Sequence, residues 1–198
     1  NDFANSIRAM RRHEIERIGL AWMSGVIDDE ASLAGMTDVY DAAIEASLQW
    51  AIQHRINDIQ IDEAPAAIAI IGMGRYGGRE VNFSSDADVI IIYRPAEGAD
   101  DDQANLFARK VQEDLRAILQ GPTTFEPKIE LDMDLRPEGK NGPLVRSYAS
   151  CEEYYRSWAS TWEHQALLRA RYAAGDASLA EDFLMNIADP LRYPKIDL

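Results

Sequence analysis

The segment Ala66 to Tyr93, AAIAIIGMGRYGGREVNFSSDADVIIIY, decides the reading of this chain. Ala66 to Ile71 is a short apolar run closed by Gly72, which suits a buried strand. Val89 to Tyr93 is a second run, β-branched and bounded by Pro95. Between them lie Gly72, Gly74, Gly77 and Gly78, where backbone N–H groups can approach an anion without side-chain interference. Asp86 and Asp88 follow, two residues apart at the entrance to the second strand. A strand repeats every two residues, so both carboxylates share one face. Paired carboxylates beside a phosphate-sized loop are what divalent cations on a nucleotide require.

Gly72-x-Gly74-x-x-Gly77 also matches the dinucleotide-binding fingerprint. That fingerprint needs a full helix after the glycines within a βαβ unit of about thirty residues. Here the helical piece between the strands, near Arg79 to Phe83, is barely one turn, and the acids open the second strand instead of closing it. The dinucleotide reading is therefore set below the cation–phosphate one. A plainer alternative makes Asp86 and Asp88 ordinary turn residues.

Working outward, residues 2 to about 27 carry Ile7, Met10, Ile15, Ile18 and Trp22 near helical spacing. Thr37 is the expected N-cap of a second helix with Tyr40, Ile44, Leu48 and Ile52 on its apolar stripe, and the two are expected to form a hairpin beside the sheet. His13 and His54 have no partner at metal-ligand spacing. Residues 97–102 read as an acidic solvated turn. A third helix is expected from Gln103 to Leu119, stopped at Gly121-Pro122. Lys128 to Leu135, KIELDMDL, alternates strictly and reads as one strand with Glu130, Asp132 and Asp134 on a shared face. Arg136-Pro137 ends it, and a loop with Lys140 at its tip follows. Ser150-Cys151-Glu152-Glu153 reads as a capping box opening a long helix to Gly175. Arg169 and Arg171, near its end, suit the helix dipole or a phosphate. Asp176 is expected to cap a last helix stopped at Pro190.

The bulk numbers narrow the function classes. The chain has 198 residues, 46% apolar and with a net charge of −14, so a globular unit with one good core is expected. That charge repels a nucleic-acid backbone. One cysteine, Cys151, allows no internal disulfide and fits a reducing interior. No apolar run approaches a membrane span and no signal peptide is visible, so a cytoplasmic location without membrane or nucleic-acid partners is expected. The ends, at Asn1 and just past Tyr193-Pro194, suggest a piece of a longer protein.

The blocks GMGRYGGREVNFSSDADVIIIY, LDMDLRPEGKNGPLVRS and YYRSWASTWEHQALLRARYAAGD, in that order, resemble the glutamine synthetase adenylyltransferase family. That family belongs to the nucleotidyltransferase superfamily that includes DNA polymerase β. The resemblance runs from about Ile70 to Pro194. It implies an α/β (α+β) nucleotidyltransferase core with a small mixed sheet flanked by helices at both ends. The expected divisions are a helical hairpin at 1–57, the core at 58–147 and C-terminal helices at 148–198. Family proteins carry two such units around a helical middle; one adenylylates glutamine synthetase and the other removes the group. WEHQALLRAR and DPLRYP resemble the C-terminal, adenylylating unit of actinobacterial members.

Carried across residue by residue, the family's S-D-x-D motif falls on Ser85, Asp86 and Asp88, and its third carboxylate on Asp132. Two departures stand out. The superfamily's Gly-Ser pair falls on Gly74-Arg75, and Asp134 occupies a place where many members have arginine, which leaves Asp132 and Asp134 both open as the third carboxylate. The resemblance implies transfer of AMP from ATP to a tyrosine of glutamine synthetase, with Mg²⁺ (or Mn²⁺) held by Asp86, Asp88 and Asp132. Two such ions sit about 4 Å apart in this chemistry. Gly72, Gly74, Gly77, Gly78 and Ser85 would receive the nucleotide; Arg136 and Lys140 would contact phosphate or orient the loop. The signal-transducing PII protein would act through the full-length enzyme. The alternatives are the adenylyl-removing unit and an inactive nucleotide-binding module.

Overall fold

A computed structural model describes residues 2–122 and 128–192; the Tyr193-Pro194 terminus lies outside them. Its centre is an antiparallel pair. β1 (Ala66–Gly72) and β2 (Ala87–Pro95) pair from Ala66↔Pro95 to Gly72↔Val89, and most of their residues are buried. Near-continuous β-branched runs suit strands covered on both faces. β3 (Leu131–Asp132) and β4 (Val145–Ser147) lie in tandem along the outer side of β2, both parallel to it. β5 (Arg171–Gly175) pairs antiparallel with the other side of β1. The described residues thus form a five-stranded mixed sheet of order β3-β2-β1-β5, with β4 beside β2.

One face carries a hairpin of α1 (Asp2–Met23) and α2 (Asp29–Ile59), together with α4 (Asp101–Gln120). Met36, Tyr40, Ile44 and Leu48 of α2 and Phe107, Val111 and Leu115 of α4 bury against Ile68, Ile70, Val89 and Ile91. The other face is covered by α5 (Tyr148–Ser157), α7 (Ala177–Phe183), and the π-turn Leu184–Ala188, meeting Ala69, Ile71, Ile90 and Ile92. The strands' alternate residues feed two cores, the arrangement of an α/β sandwich.

Four local expectations need correction. α2 begins at Asp29, with Asp28 accepting from Ala31 N, eight residues before Thr37. Thr37 is buried mid-helix; its hydroxyl donates to Leu33 O and accepts from Val81 N. Gly35, in the turn before it, is packing space, since a Cβ there would press on Ile18. The acidic turn is partly a cap: Asp100 accepts from Gln103 N, and Asp101 and Asp102 sit in the first turn of α4, where acids favour the dipole. The long helix expected from Ser150 to Gly175 is four pieces. Ser147 caps α5; the capping box is at Ser160 and Glu163, opening α6 (Thr161–Ala166); a 3₁₀ turn follows; and Arg171–Gly175 is β5. Pairing with the open side of β1 takes Arg171–Gly175 out of the expected helix. Asp176 does cap α7, accepting from Leu179 N, but the chain turns on through Pro190 into α8 (Asp189–Arg192), where Pro fits a first turn.

Candidate active site

The acids converge at the outer edge of the sheet. Asp88 on β2 lies opposite Asp132 on β3 in the parallel register, and Ala87 N donates to Glu130 O just before it. Neighbouring strands stand about 4.8 Å apart, so facing residues bring their side chains together. Asp86, two residues before Asp88, shares its side. The electrostatics agree. Burial first, then the charges of Asp86 and Asp132, push the Asp88 carboxyl up to about 6, against a pull-down from the backbone N–H and charge of Arg75.

KIELDMDL is shorter as a strand than its pattern: only Leu131–Asp132 pairs with β2. Ile129, Leu131 and Met133 are still buried, so the alternation reports burial faithfully. Asp134 has left the ladder for a turn, where its N–H donates to Asp132 Oδ1 at 2.7 Å. Its carboxylate lies 3.2 Å from Lys140 Nζ and 3.7 Å from Arg136 Nη1. Asp132 belongs to the acidic cluster, while Asp134 is neutralised by neighbouring cations.

The glycine loop is built for close approach. Gly74 has φ +52°, and a Cβ there would collide with the Asp88 carboxylate. A Cβ on Gly77 would collide with the carbonyls of Arg169 and Gly72. α3 (Gly74–Gly77) is a single turn. Gly77 N donates to Met73 O, Gly78 N donates to Gly74 O and Met73 N donates to Asp88 O. The amides of Gly77 and Gly78 therefore point into the turn itself. A Cβ on Gly72 would press on the Tyr76 ring, and one on Gly78 on the Arg169 guanidinium.

A groove of about 720 Å³ opens over this loop; Arg75, Lys128, Ser84 and Ser85 line it with Asp86 and Asp88. Ser85 Oγ accepts from Asn82 N, which leaves its hydroxyl hydrogen for a ligand, and Tyr40 Oη donates to Ser85 O at 2.8 Å. Phe83 stands exposed at the mouth, 6.2 Å from Trp22 between ring centroids. Arg136 is nearly fully buried, and its guanidinium donates to the carbonyls of Met133, Lys140 and Gly142. It shapes the 137–142 loop. Lys140 is exposed at the loop's tip.

Three supports escaped the sequence reading. Arg75 holds Asp88. Arg171 clamps Asp41 at 2.8 and 3.0 Å and donates to Tyr76 O, fixing the glycine turn itself. Glu163, buried, accepts from Glu138 N, Tyr154 Oη, and both N and Oγ of Ser160, tying the 137–142 loop to α5 and α6. Although burial opposes ionisation, these bonds keep its carboxyl below the usual range. The serine–glutamate spacing at 160–163 was a legible signal for the last; nothing in the spacing marks Arg171.

Among the described residues, no three His, Cys, Asp or Glu side chains form a ready-made metal centre. Mg²⁺ commonly takes one or two carboxylates and completes its shell with water and phosphate oxygens. Asp86, Asp88 and Asp132 fit that donor set: hard oxygen ligands, crowded enough to raise Asp88, with Arg75 the cation acting on it. Among the described residues, no helix is long and apolar enough to cross a membrane.

Comparison with known proteins identifies the family. A family model described as Glutamate-ammonia ligase adenylyltransferase matches residues 1–186. The bifunctional glutamine synthetase adenylyltransferase/adenylyl-removing enzyme of Bifidobacterium longum (strain DJO10A) is 77% identical over 198 residues, 100% of this chain and 18% of the relative. The proteins of the same name from Mycobacterium tuberculosis (strain CDC 1551 / Oshkosh) and Mycobacterium leprae (strain TN) are 46% and 43% identical over 187 and 190 residues, covering 94% and 96% of this chain and 18% of each relative. The chain thus spans less than a fifth of the length of these relatives. It belongs to the glutamate-ammonia ligase adenylyltransferase family.

Proposed function

We propose that this unit transfers AMP from ATP to a tyrosine hydroxyl of glutamine synthetase. One observation carries the reading: Asp88 and Asp132 face each other across two parallel strands, with Asp86 on the same side and the Gly74 turn pressed against Asp88. The family relatives are named for adenylylation and its reversal, and the WEHQALLRAR segment favours the forward direction.

The phenolic oxygen of the acceptor attacks the α-phosphorus, the Pα–O bond to the β-phosphate breaks, and pyrophosphate leaves with the electron pair. Asp86 and Asp88, completed by Asp132, would hold Mg²⁺ or Mn²⁺, which neutralises phosphate charge and lowers the acceptor's pKa from about 10. Arg75, Lys128 and the Ser85 hydroxyl receive the polyphosphate in the groove over the glycine turn. Asp132 accepts from Asp134 N with one carboxylate oxygen, which leaves the other for the cation or for the phenol proton. The PII protein acts on the full-length enzyme through parts outside this chain.

The test uses the full-length protein, glutamine synthetase and ATP labelled in the α-phosphate. Label should pass to glutamine synthetase only with Mg²⁺ or Mn²⁺ present, and Asp88→Asn should abolish it. A second tube holds adenylylated glutamine synthetase and inorganic phosphate. Release of ADP there, lost in Asp88→Asn while forward transfer persists, would assign the unit to removal instead.

A further inference from the structure

A second groove leaves the acidic cluster on the side away from the glycine turn. Asp86, Glu130, Asp132 and Asp134 line its inner part, of about 430 Å³, facing Arg116 and Lys140. Arg116, Gln120, Arg136, Lys140 and Leu144 are shared with an outer part of about 860 Å³, which runs along α4 to Asn105. Asn105, Arg109, Gln112, Arg116 and Gln120 recur at intervals of four, three, four and four, so amides and guanidinium groups alternate down one helical stripe. From Asn105 to Gln120 the stripe is about 22 Å long at 1.5 Å per residue. That matches some six or seven residues of extended polypeptide.

Two features point to a ligand. Gln112 lies on the core side of α4, only 4% exposed, yet it lines the groove and its Nε2 has no hydrogen-bond partner. A buried amide donor left unpaired is destabilising, so a carbonyl from a bound chain is its natural complement. Arg109 and Arg116 are exposed, and neither forms an ion pair with a described residue. Arg116 donates instead to Gln120. The anion on the same stripe, Glu113, is already paired with Lys110 at 2.8 Å. In a chain of net charge −14 the outer part is a local cationic track, with Glu113 its one lining acid, and it leads into the acidic cluster.

We propose that this α4 groove seats an extended, acidic polypeptide segment that carries the acceptor tyrosine. The inference rests on the transferase reading above. The sheet order supports the assignment of sides. The glycine turn follows β1, Asp132 sits on β3, and Asp88 of β2 lies between them. The polyphosphate occupies the side with Arg75 and Lys128, which leaves the Asp132 side for the acceptor. Arg109 and Arg116 would meet carboxylates flanking the tyrosine, and Gln112 would donate to the segment's backbone.

The test separates the groove from the chemistry by reading binding alone. Fluorescently labelled tyrosine peptides, flanked by glutamates or by lysines, are titrated into the full-length protein without ATP, and anisotropy is recorded. The glutamate peptide should bind at least tenfold tighter, and Arg109→Ala/Arg116→Ala should erase that preference. Arg109→Lys/Arg116→Lys should retain part of it. Both arginines are exposed, so melting curves of the variants should overlay the parent. Equal binding of the two peptides, or an unchanged preference in the alanine variant, overturns the proposal even if AMP transfer is intact. In turnover, the alanine variant should raise the acceptor KM about tenfold with kcat and the ATP KM within twofold. A raised ATP KM with an unchanged acceptor KM would hand the groove to the nucleotide and overturn it as well. Failure of the transferase reading shows separately, as absent transfer in the parent protein with peptide selectivity preserved.

Discussion

Two groups of acids flank the glycine turn and are treated oppositely. On α2, Asp41 is clamped by Arg171, Asp38 accepts from Arg79 at 2.7 Å, and Glu45 accepts from Gly175 N at 2.7 Å. Each has a partner, and together they pin β5 and the turn after the glycines to the hairpin. At the edge of the sheet, Asp86, Asp88 and Asp132 crowd one another with Arg75 as a counterweight, and Asp88 is left with a raised pKa. A folded chain gains nothing from uncompensated carboxylates at close range, since like charges repel and burial favours the neutral form. Acids in that condition mark a site that is completed by something else.

The largest expected difference between the groups is in activity. Asp86→Asn or Asp88→Asn should lower AMP transfer by roughly 10³-fold or more, while thermal stability stays equal or rises because a repulsion is removed. Asp41→Asn should do the reverse, losing stability while the folded protein keeps transfer within a few fold. Measuring initial rates and melting midpoints on all three variants checks both halves. Loss of transfer in Asp41→Asn at an unchanged midpoint would break the comparison.

Glu163 sharpens it, as a carboxylate buried as deeply as any yet saturated with donors. Glu163→Ala strands those donors and should cost about 3 kcal/mol. For a chain of this size that is a drop of roughly 6–12 °C, read by calorimetry. A smaller loss is expected at the α2 clamp. Arg171→Lys keeps the charge but cannot span both Asp41 oxygens and Tyr76 O, so about 1–2 kcal/mol should go, visible as a shifted urea midpoint with unchanged slope.

The difference between the two groups also explains what the sequence discloses. Strands β1 and β2 and the spacing of Asp86 and Asp88 are local patterns, visible because period two and glycine punctuation act within a few residues. Asp132 was visible for the same reason, through the alternation from Ile129 to Met133. What was hidden depends on distant partners. Asp134 differs from Asp132 because pairing with β2 stops at Asp132 and because Lys140 and Arg136 fold back onto Asp134. Arg171 looked like a helix-end cation, yet it begins a strand and reaches Asp41 across the chain. The tandem strands β3 and β4 are too short to announce themselves, being fixed by pairing with β2 rather than by propensity. Gln112 is the intermediate case: a polar residue on the core stripe of α4 is a readable anomaly, but the groove that explains it is not.

The smallest expected effect is in the pH dependence of stability. Asp88 titrates near 6 when folded and near the ordinary carboxylate range when unfolded. Between those values the folded state binds the extra proton, so stability contributed by protonated Asp88 is full below about pH 4 and lost as pH rises through 6. Because Asp88 is only partly buried, the loss should be roughly 1–2 kcal/mol after solvent screening. Urea melts of the parent and of Asp88→Asn from pH 4 to 7, without divalent cations, should give curves that diverge in favour of the variant over that window. Glu163 shifts the opposite way, so its contribution is gained above the usual carboxylate range and lost on acidification. Saturating Mg²⁺ with nucleotide should then close the gap between parent and variant at pH 7, because a bound cation relieves the repulsion that only the parent carries. A gap that stays constant from pH 4 to 7 would mean Asp88 is not crowded by Asp86 and Asp132, and the contrast between the two acid groups would lose its basis.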